Sequence, residues 1–224
     1  MTQISGSGGE ERDAGRRPLD VVFVVDCSGS MAGERIGALN WAMKTVLPAI
    51  RAHAEEHPEI AIRIRVLRFA TGALFGAPAP QPIETFVWDN LTAGGESDMG
   101  AAFRLLAADF AASGLAADAT PPVIVLVSDG FPSDDAEAGL EALLATDAGR
   151  RATRIPIAIG QDADMALLRS FSSDPSLPPL RSHDVEMLVG RMRRVADGPI
   201  AAAVSGTAAM AAAAAKAGED EDLW

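Results

Sequence analysis

Polar residues directly follow an apolar run in the stretch Val21-Val22-Phe23-Val24-Val25-Asp26-Cys27-Ser28-Gly29-Ser30-Met31. A continuous apolar run of this length is typical of a buried parallel strand. Asp26, Ser28 and Ser30 then occupy alternate positions, so their side chains can point the same way from an extended turn. Carboxylate and hydroxyl oxygens are the ligands that hard cations such as Mg²⁺, Mn²⁺ or Ca²⁺ prefer. The stretch therefore predicts a strand that ends at a divalent-metal site.

The rest of the chain alternates between helical and extended hydrophobic patterns. Helices are expected over 34–57, 98–113, 134–151, 164–171 and 185–195. Strands are expected over 19–26, 60–69, 121–127, 155–159 and around Leu180. The segment 83–88 follows a Pro-rich bend and is expected to form a short antiparallel edge strand. This order predicts an α/β fold, namely a Rossmann-like three-layer α/β/α arrangement with a mostly parallel sheet and one antiparallel edge strand.

Length and composition indicate one domain with a segment on either side. At 224 residues and 48% apolar content, the chain can bury one α/β core. Residues 1–18 are rich in Gly, Ser and charge and are expected to form a flexible leader. The domain is expected over 19–198, and 199–224 is expected to be an Ala-rich and acidic tail.

Charge and cysteine content argue against several classes of protein. The formal net charge is −12 and the basic clusters are short, so a nucleic-acid partner is not expected. Apolar runs stay below the roughly 18 residues that span a bilayer, so no membrane association is expected. Cys27 is the single cysteine, which suits a reducing compartment. Because no apolar signal segment precedes the first strand, we expect a cytoplasmic protein.

The Asp26-x-Ser28-x-Ser30 motif behind a buried strand resembles the metal-ion-dependent adhesion site (MIDAS) of von Willebrand factor A (VWA) domains. The resemblance extends over about 19–196 and implies the VWA fold. It also implies a bound Mg²⁺, with Mn²⁺ or Ca²⁺ as alternatives, whose sixth ligand is an Asp or Glu from a partner protein. The implied function is a Mg²⁺-dependent adaptor and not an enzyme.

The same resemblance implies ligands from two later segments. Ser97 follows the paired glycines of the loop 91–100, where the family usually has a Thr. Ser keeps the ligand oxygen but lacks the methyl group that limits the Thr rotamers, so Thr92 is the alternative ligand. Asp129 matches the second aspartate of the family, which usually reaches the metal through a water molecule.

Each of these residues also has a simpler structural interpretation. Ser28, Ser97 and Asp98 are residue types that cap helix N-termini. Asp129 precedes a glycine, as aspartates in turns often do. Capping and metal binding are compatible at the same segment, so both interpretations stay open.

A narrower resemblance is to the bacterial tellurium-resistance-associated (TerY-like) branch of the VWA family. It rests on Gly29, Met31, the Gly94-Gly95 loop and the Ala-rich region around Val204. Proteins of this branch are encoded with a protein kinase and a metal-dependent phosphatase. The resemblance therefore implies a cytosolic stress-response or phosphosignalling assembly with one of these enzymes as the partner.

A metal-dependent phosphohydrolase on a Rossmannoid fold is the alternative function, with the strand-end Asp26 as nucleophile. Such an enzyme needs an acid/base carboxylate two residues later, where this chain has Ser28. His53, His57 and His183 lie far from the motifs and are expected at the surface. The acidic end of the tail, 219–224, is expected either to dock on a partner or to be solvated.

Overall fold

A computed structural model describes residues 16–113, 120–174, 176, 178–182 and 184–205. The predicted leader up to residue 15 and the predicted tail beyond residue 205 lie outside the described residues. The first strand, β1, spans Arg17–Asp26 and so begins just ahead of the predicted domain start at Leu19. Domain bounds at 19 and 198 remain predictions.

Six further strands follow β1 in the described chain: β2 (Ile60–Ala70), β3 (Gly72–Phe75), β4 (Gln81–Pro82), β5 (Val123–Ser128), β6 (Thr153–Ile159) and β7 (Leu180–Ser182). The strands form one sheet in the order β3-β2-β1-β5-β6-β7, with β4 beside β2. Pairing is parallel except that β3 and β4 run antiparallel to β2. The predicted mostly parallel sheet with an antiparallel edge is confirmed.

The residues assigned to that edge were wrong, because 83–88 does not form a strand. The edge is built by β3, which folds back on β2 through Gly72, whose φ of 78° permits the tight reversal. Pairing with β2 ends with the Ile83 amide, which donates to the Ile62 carbonyl at 2.9 Å, and the Phe86 amide then turns back to the Pro82 carbonyl at 2.9 Å. The Arg51 guanidinium donates to the carbonyls of Ile83 and Phe86. Both of these apolar side chains are buried against the core.

Six helices cover the two faces of the sheet within the described chain. They are α1 (Glu34–Glu56), α2 (Met99–Ser113), α3 (Ala136–Ala145), α4 (Asp147–Arg151), α5 (Met165–Phe171) and α6 (Val185–Ser205). Apolar residues of α1 and α6 pack on one face, and those of α2, α3, α4 and α5 pack on the other. This is the predicted three-layer α/β/α arrangement. None of the described helices combines the length and apolarity that crossing a membrane requires.

The helices differ from the sequence prediction in two places. The predicted helix 134–151 is divided into α3 and α4 at Thr146, whose backbone is extended at ψ 148°. The Thr146 hydroxyl donates to the Leu143 carbonyl at 2.7 Å and accepts from the Gly149 amide at 3.0 Å, so it ends one helix and caps the next. The last helix continues to Ser205, past its predicted end at Val195.

Two glycines let α2 and α3 approach each other closely. A Cβ atom added at Gly139 would lie 2.6 Å from the carbonyl oxygen of Gly100. One added at Gly100 would lie 2.2 Å from the carbonyl oxygen of Asp135. Both contacts are to backbone, so neither can be relieved by a rotamer change. This packing positions the loops at the start of α2, which carry candidate ligands.

We predict that Gly139→Ala destabilises the domain by about 1–3 kcal/mol, as overpacking of a tight contact does. The matched control is Gly37→Ala in the exposed part of α1, where an added Cβ meets nothing within 4 Å. That variant should gain about 0.5–1 kcal/mol from helix propensity. Denaturant unfolding of both variants measures the difference. A Gly139→Ala protein as stable as the Gly37→Ala protein would contradict the packing argument.

Candidate metal centre

The carboxyl ends of β1 and β5 bring the first candidate ligands together. Val25 pairs with Val127 in the parallel ladder, which makes Asp26 and Ser128 neighbours at the sheet edge. Asp26 and Asp129 are both 0% exposed, so two carboxylates are buried at the same edge. Strand ends of an open α/β sheet are where such folds bind ligands.

Neutral groups surround the Asp26 carboxylate in the described part of the chain. Its Oδ1 accepts the backbone amide of Ser28 at 2.8 Å. Its Oδ2 accepts the Ser128 hydroxyl at 2.7 Å and the Ser97 hydroxyl at 3.2 Å. Three hydrogen bonds hold the carboxylate in place, but none of them brings a positive charge.

Ser28, whose amide bonds Asp26, connects the remaining candidates to it through hydroxyl groups. Ser28 Oγ and Ser30 Oγ lie 3.0 Å apart, and the Ser30 hydroxyl donates to Asp129 Oδ1 at 2.8 Å. Ser28 is buried and Ser30 is exposed. The structure thus joins all five predicted residues, Asp26, Ser28, Ser30, Ser97 and Asp129, in one hydrogen-bonded network.

The loop before α2 is tied to the strand end by backbone contacts. Gly29 donates its amide to the Gly95 carbonyl at 2.9 Å, and Gly94 donates to the Cys27 carbonyl at 2.8 Å. Gly95 has φ of 86°, and an added Cβ would lie 2.6 Å from Thr71 Oγ1, so glycine is needed there. These contacts place Ser97 against the Asp26 carboxylate.

Thr92, the alternative loop ligand, occupies a different position. It is exposed, and within the described chain its hydroxyl makes no hydrogen bond to Asp26, Ser28 or Asp129. Ser97 is 8% exposed and contacts Asp26 directly. The geometry favours Ser97 over Thr92 as the ligand from this loop.

The helix-cap interpretation of Asp98 is not what the structure shows. Asp98 accepts the Gly72 amide at 2.7 Å and the Ser133 hydroxyl at 3.0 Å, so it joins two loops. The free amides at the start of α2 are instead satisfied by Asp134, which accepts from Gly100 at 2.7 Å and Ala101 at 2.8 Å. Because Asp134 caps the helix, the Ser97 side chain is free to donate its hydroxyl to Asp26.

Two residues of the site were not anticipated from the sequence. Ser128, the last residue of β5, donates its hydroxyl to Asp26, and its position at a strand end was a usable signal. Arg35, near the start of α1, forms an ion pair with Asp129 and reaches Asp162 at 3.1 Å. Its guanidinium lies against Gly160, where an added Cβ would be 3.4 Å from Nη2. The hydrogen bond to Asp129 raises the pKa of Arg35, so the guanidinium stays charged.

Burial raises the pKa of Asp26, while the hydrogen bonds from Ser28 and Ser128 act in the opposite direction. The nearby Asp129 carboxylate raises the pKa of Asp26 further. A buried carboxylate with only neutral donors, close to a second carboxylate, is a poorly compensated negative charge. The side-chain atoms that could ligate a metal here are all carboxylate or hydroxyl oxygens, a set that fits a hard divalent cation.

Cys27 lies between the two candidate ligands Asp26 and Ser28 but faces the other way. It is 5% exposed and belongs to the apolar core on the α1 side of the sheet. Desolvation raises the pKa of its thiol to about 11, so it stays protonated and unreactive. It is not a candidate ligand or nucleophile.

A family model of the von Willebrand factor type A domain matches residues 20–188 of the chain. The fold is similar to that of von Willebrand factor type A from Catenulispora acidiphila, with 17% identity and a TM-score of 0.61. That match covers 82% of this chain and 43% of the solved one. No curated protein matches the chain.

Two further solved structures share the fold. The ArnB paralog VWA2 from Sulfolobus acidocaldarius is 18% identical with a TM-score of 0.58, covering 80% of this chain and 45% of that one. Proximal thread matrix protein 1 from the mussel byssus, described with a zinc-occupied MIDAS motif, is 17% identical with a TM-score of 0.60. It is covered to 48%, and this chain to 83%. The chain spans less than half the length of each of these three proteins.

We predict that Asp26→Asn stabilises the protein in EDTA at neutral pH, because the variant buries an amide where the wild type buries a charge. The folded pKa of Asp26 is raised, so the wild type loses stability relative to the variant as pH rises through that pKa. The difference should vanish below the unfolded value of about 3.9. Urea unfolding at several pH values measures it. A wild type that is the more stable protein at neutral pH would contradict the prediction.

Proposed function

Because the chain belongs to the von Willebrand factor type A family, we propose that it is a metal-dependent protein interaction module. Asp26, Ser28, Ser30, Ser97 and Asp129 would hold the cation. The observation that carries the proposal is the Asp26 carboxylate, fully buried beside Asp129 and bonded only to neutral donors in the described chain. Such a charge is costly to bury unless a cation compensates it.

The five residues have different parts in this proposal. Asp26 supplies the direct negative charge, and the Ser28, Ser30 and Ser97 hydroxyls supply neutral oxygens. Asp129 already accepts the Ser30 hydroxyl and pairs with Arg35, so it suits an outer position. A divalent cation bound there supplies an incompletely neutralised positive charge that attracts a further carboxylate.

The surface around the site suits an acidic protein segment. The Arg35 side chain is 33% exposed and presents a guanidinium beside the site, where it can also bind a carboxylate. Phe131 is 67% exposed and lies one residue beyond Gly130, whose Cβ position is 3.8 Å from Ser30 Oγ. An exposed aromatic residue next to a polar site is a common anchor in protein interfaces. The proposed partner therefore presents an Asp or Glu with an apolar neighbour.

The contacts of the two aspartates favour an adaptor over a phosphohydrolase. A phosphohydrolase needs a proton-donating group beside the Asp26 nucleophile. The Asp26 carboxylate contacts serine hydroxyls and an amide, which cannot serve as general acids at neutral pH. The Asp129 oxygens are already engaged by the Ser30 hydroxyl and the Arg35 guanidinium, so neither faces an attacking group beside Asp26.

The finer parts of the proposal rest on the resemblance and on the ligand chemistry. Oxygen-only ligands support Mg²⁺ over softer metals, with Mn²⁺ or Ca²⁺ as alternatives. The TerY-like resemblance supports a cytoplasmic bacterial stress-response or phosphosignalling system, with an associated kinase or phosphatase as partner. The single, buried cysteine is compatible with a reducing compartment.

We predict that Asp26→Asn weakens Mg²⁺ and Mn²⁺ binding by more than about 100-fold, because it removes the directly ligating charge. Isothermal titration calorimetry with each metal measures the loss. Glu96→Gln is the matched control, since it removes an exposed carboxylate from the loop before α2, next to Ser97, without contacting Asp26. It should bind metal as the wild type does.

The same variants test the choice between adaptor and enzyme. A Glu-containing peptide should bind the wild type with Mg²⁺ and lose binding on addition of EDTA or in Asp26→Asn. The wild type should not turn over p-nitrophenyl phosphate with Mg²⁺. Peptide binding that ignores EDTA, or turnover that Asp26→Asn abolishes, would refute the adaptor proposal.

Arg35→Gln is predicted to strengthen Mg²⁺ binding by roughly tenfold, because a positive charge beside the site repels the cation by about 1 kcal/mol or more over a few ångströms. Arg35→Lys keeps the charge and should stay near the wild-type affinity. Calorimetry of both variants at low ionic strength gives the comparison. If Arg35→Gln weakens metal binding instead, the main effect of Arg35 is to orient Asp129 and not to repel the cation.

A further inference from the structure

A second group of metal-ligating side chains lies at the other end of α1. His53, Glu56 and His57 lie in the last turns of the helix and just after it. Arg35, which contacts the first site, precedes His53 by roughly 27 Å at the helical rise of about 1.5 Å per residue. The two groups are therefore separate sites, and the function proposed for the first does not involve the second.

The geometry of this second group is already close to that of a metal site. One ligand atom from each of His53, Glu56 and His57 lies within 4.8 Å of the other two. His53 Nδ1 and Glu56 Oε2 are 3.7 Å apart. Ligands of a tetrahedral Zn²⁺ bound at about 2.0 Å are about 3.3 Å from one another. All three side chains are partly or largely exposed, so rotamer changes can close the remaining gap.

An independent contact from α6 orients one of the imidazoles. Asp197 accepts a hydrogen bond from His53 Nε2. With the proton held on Nε2, the lone pair of His53 is on Nδ1, the atom that faces Glu56. A carboxylate bonded to the second nitrogen of a ligating histidine is the usual arrangement around protein-bound zinc.

We propose that His53, Glu56 and His57 form a Zn²⁺ site, with Asp197 as the residue that positions His53. Two imidazole nitrogens and one carboxylate leave a fourth position for water, a set that suits zinc. The nitrogen ligands distinguish this site from the oxygen-only group around Asp26, which suits Mg²⁺. Metal bound here would link the end of α1 to α6 through the His53 and Asp197 contact.

The test uses the full chain in the Asp26→Asn background, because a relative carries zinc in its MIDAS motif and the first site must be removed. Calorimetry with Zn²⁺ should show one bound ion per chain in this background. Adding His57→Gln should weaken that binding by at least about 100-fold, and adding Asp197→Asn by about 10-fold. Glu55→Gln, which removes an exposed carboxylate from the same helical turn, is the matched control and should have no effect.

Thermal unfolding provides a second readout. Zn²⁺ should raise the melting temperature of the Asp26→Asn protein and leave that of Asp26→Asn/His57→Gln unchanged. Mg²⁺ should have no such effect on either protein. Absence of zinc binding in the Asp26→Asn protein, or zinc binding that His57→Gln does not weaken, would overturn the proposal.

Discussion

Three segments of the structure meet at a carboxyl group that is buried where the central strand β1 ends. Asp26 has no exposed surface, and its oxygens are held by one amide and two hydroxyl groups. These three groups come from the turn after β1, the loop before α2 and the end of β5. Oδ1 accepts from the turn, and Oδ2 accepts from both the loop before α2 and the end of β5, so the carboxylate fixes how the three segments meet.

The fold puts those segments within reach before any of them contacts Asp26. Parallel pairing of β1 with β5 brings two strand ends to one edge, and the close packing of α2 on α3 fixes the loop that carries Ser97. Asp134 strengthens that packing by accepting the first amides of α2. The site therefore draws its rigidity from the sheet and from a helix pair, not from the loops alone.

Local patterns predicted the parallel strands and the candidates Asp26, Ser28 and Ser30, because alternation and strand-end position are visible in the sequence itself. Ser97 and Asp129 were proposed from the resemblance to VWA domains. The features that were not predicted depend on contacts between residues far apart in the sequence or on the folded geometry. The segment 83–88 has a strand-like pattern, yet it forms a turn in which the Arg51 side chain donates to the Ile83 and Phe86 carbonyls. The break at Thr146 is hidden within one continuous helical pattern. Arg35 was missed because only the folded chain shows where a long, flexible side chain ends.

Arg35 adds a positive charge to a site whose candidate ligands alone carry two carboxylates. Two buried carboxylates would neutralise a divalent cation, but the guanidinium pairs with Asp129 and reduces the charge available to it. The exposed Asp162 contacts only Nη2 of that guanidinium. A cation at this site would then keep more of its own charge, and a carboxylate from outside the chain would meet both the cation and Arg35. In the proposed site the ion pair would weaken metal binding while it favours an acidic partner, so the two proposed binding events would be coupled through the Arg35 side chain.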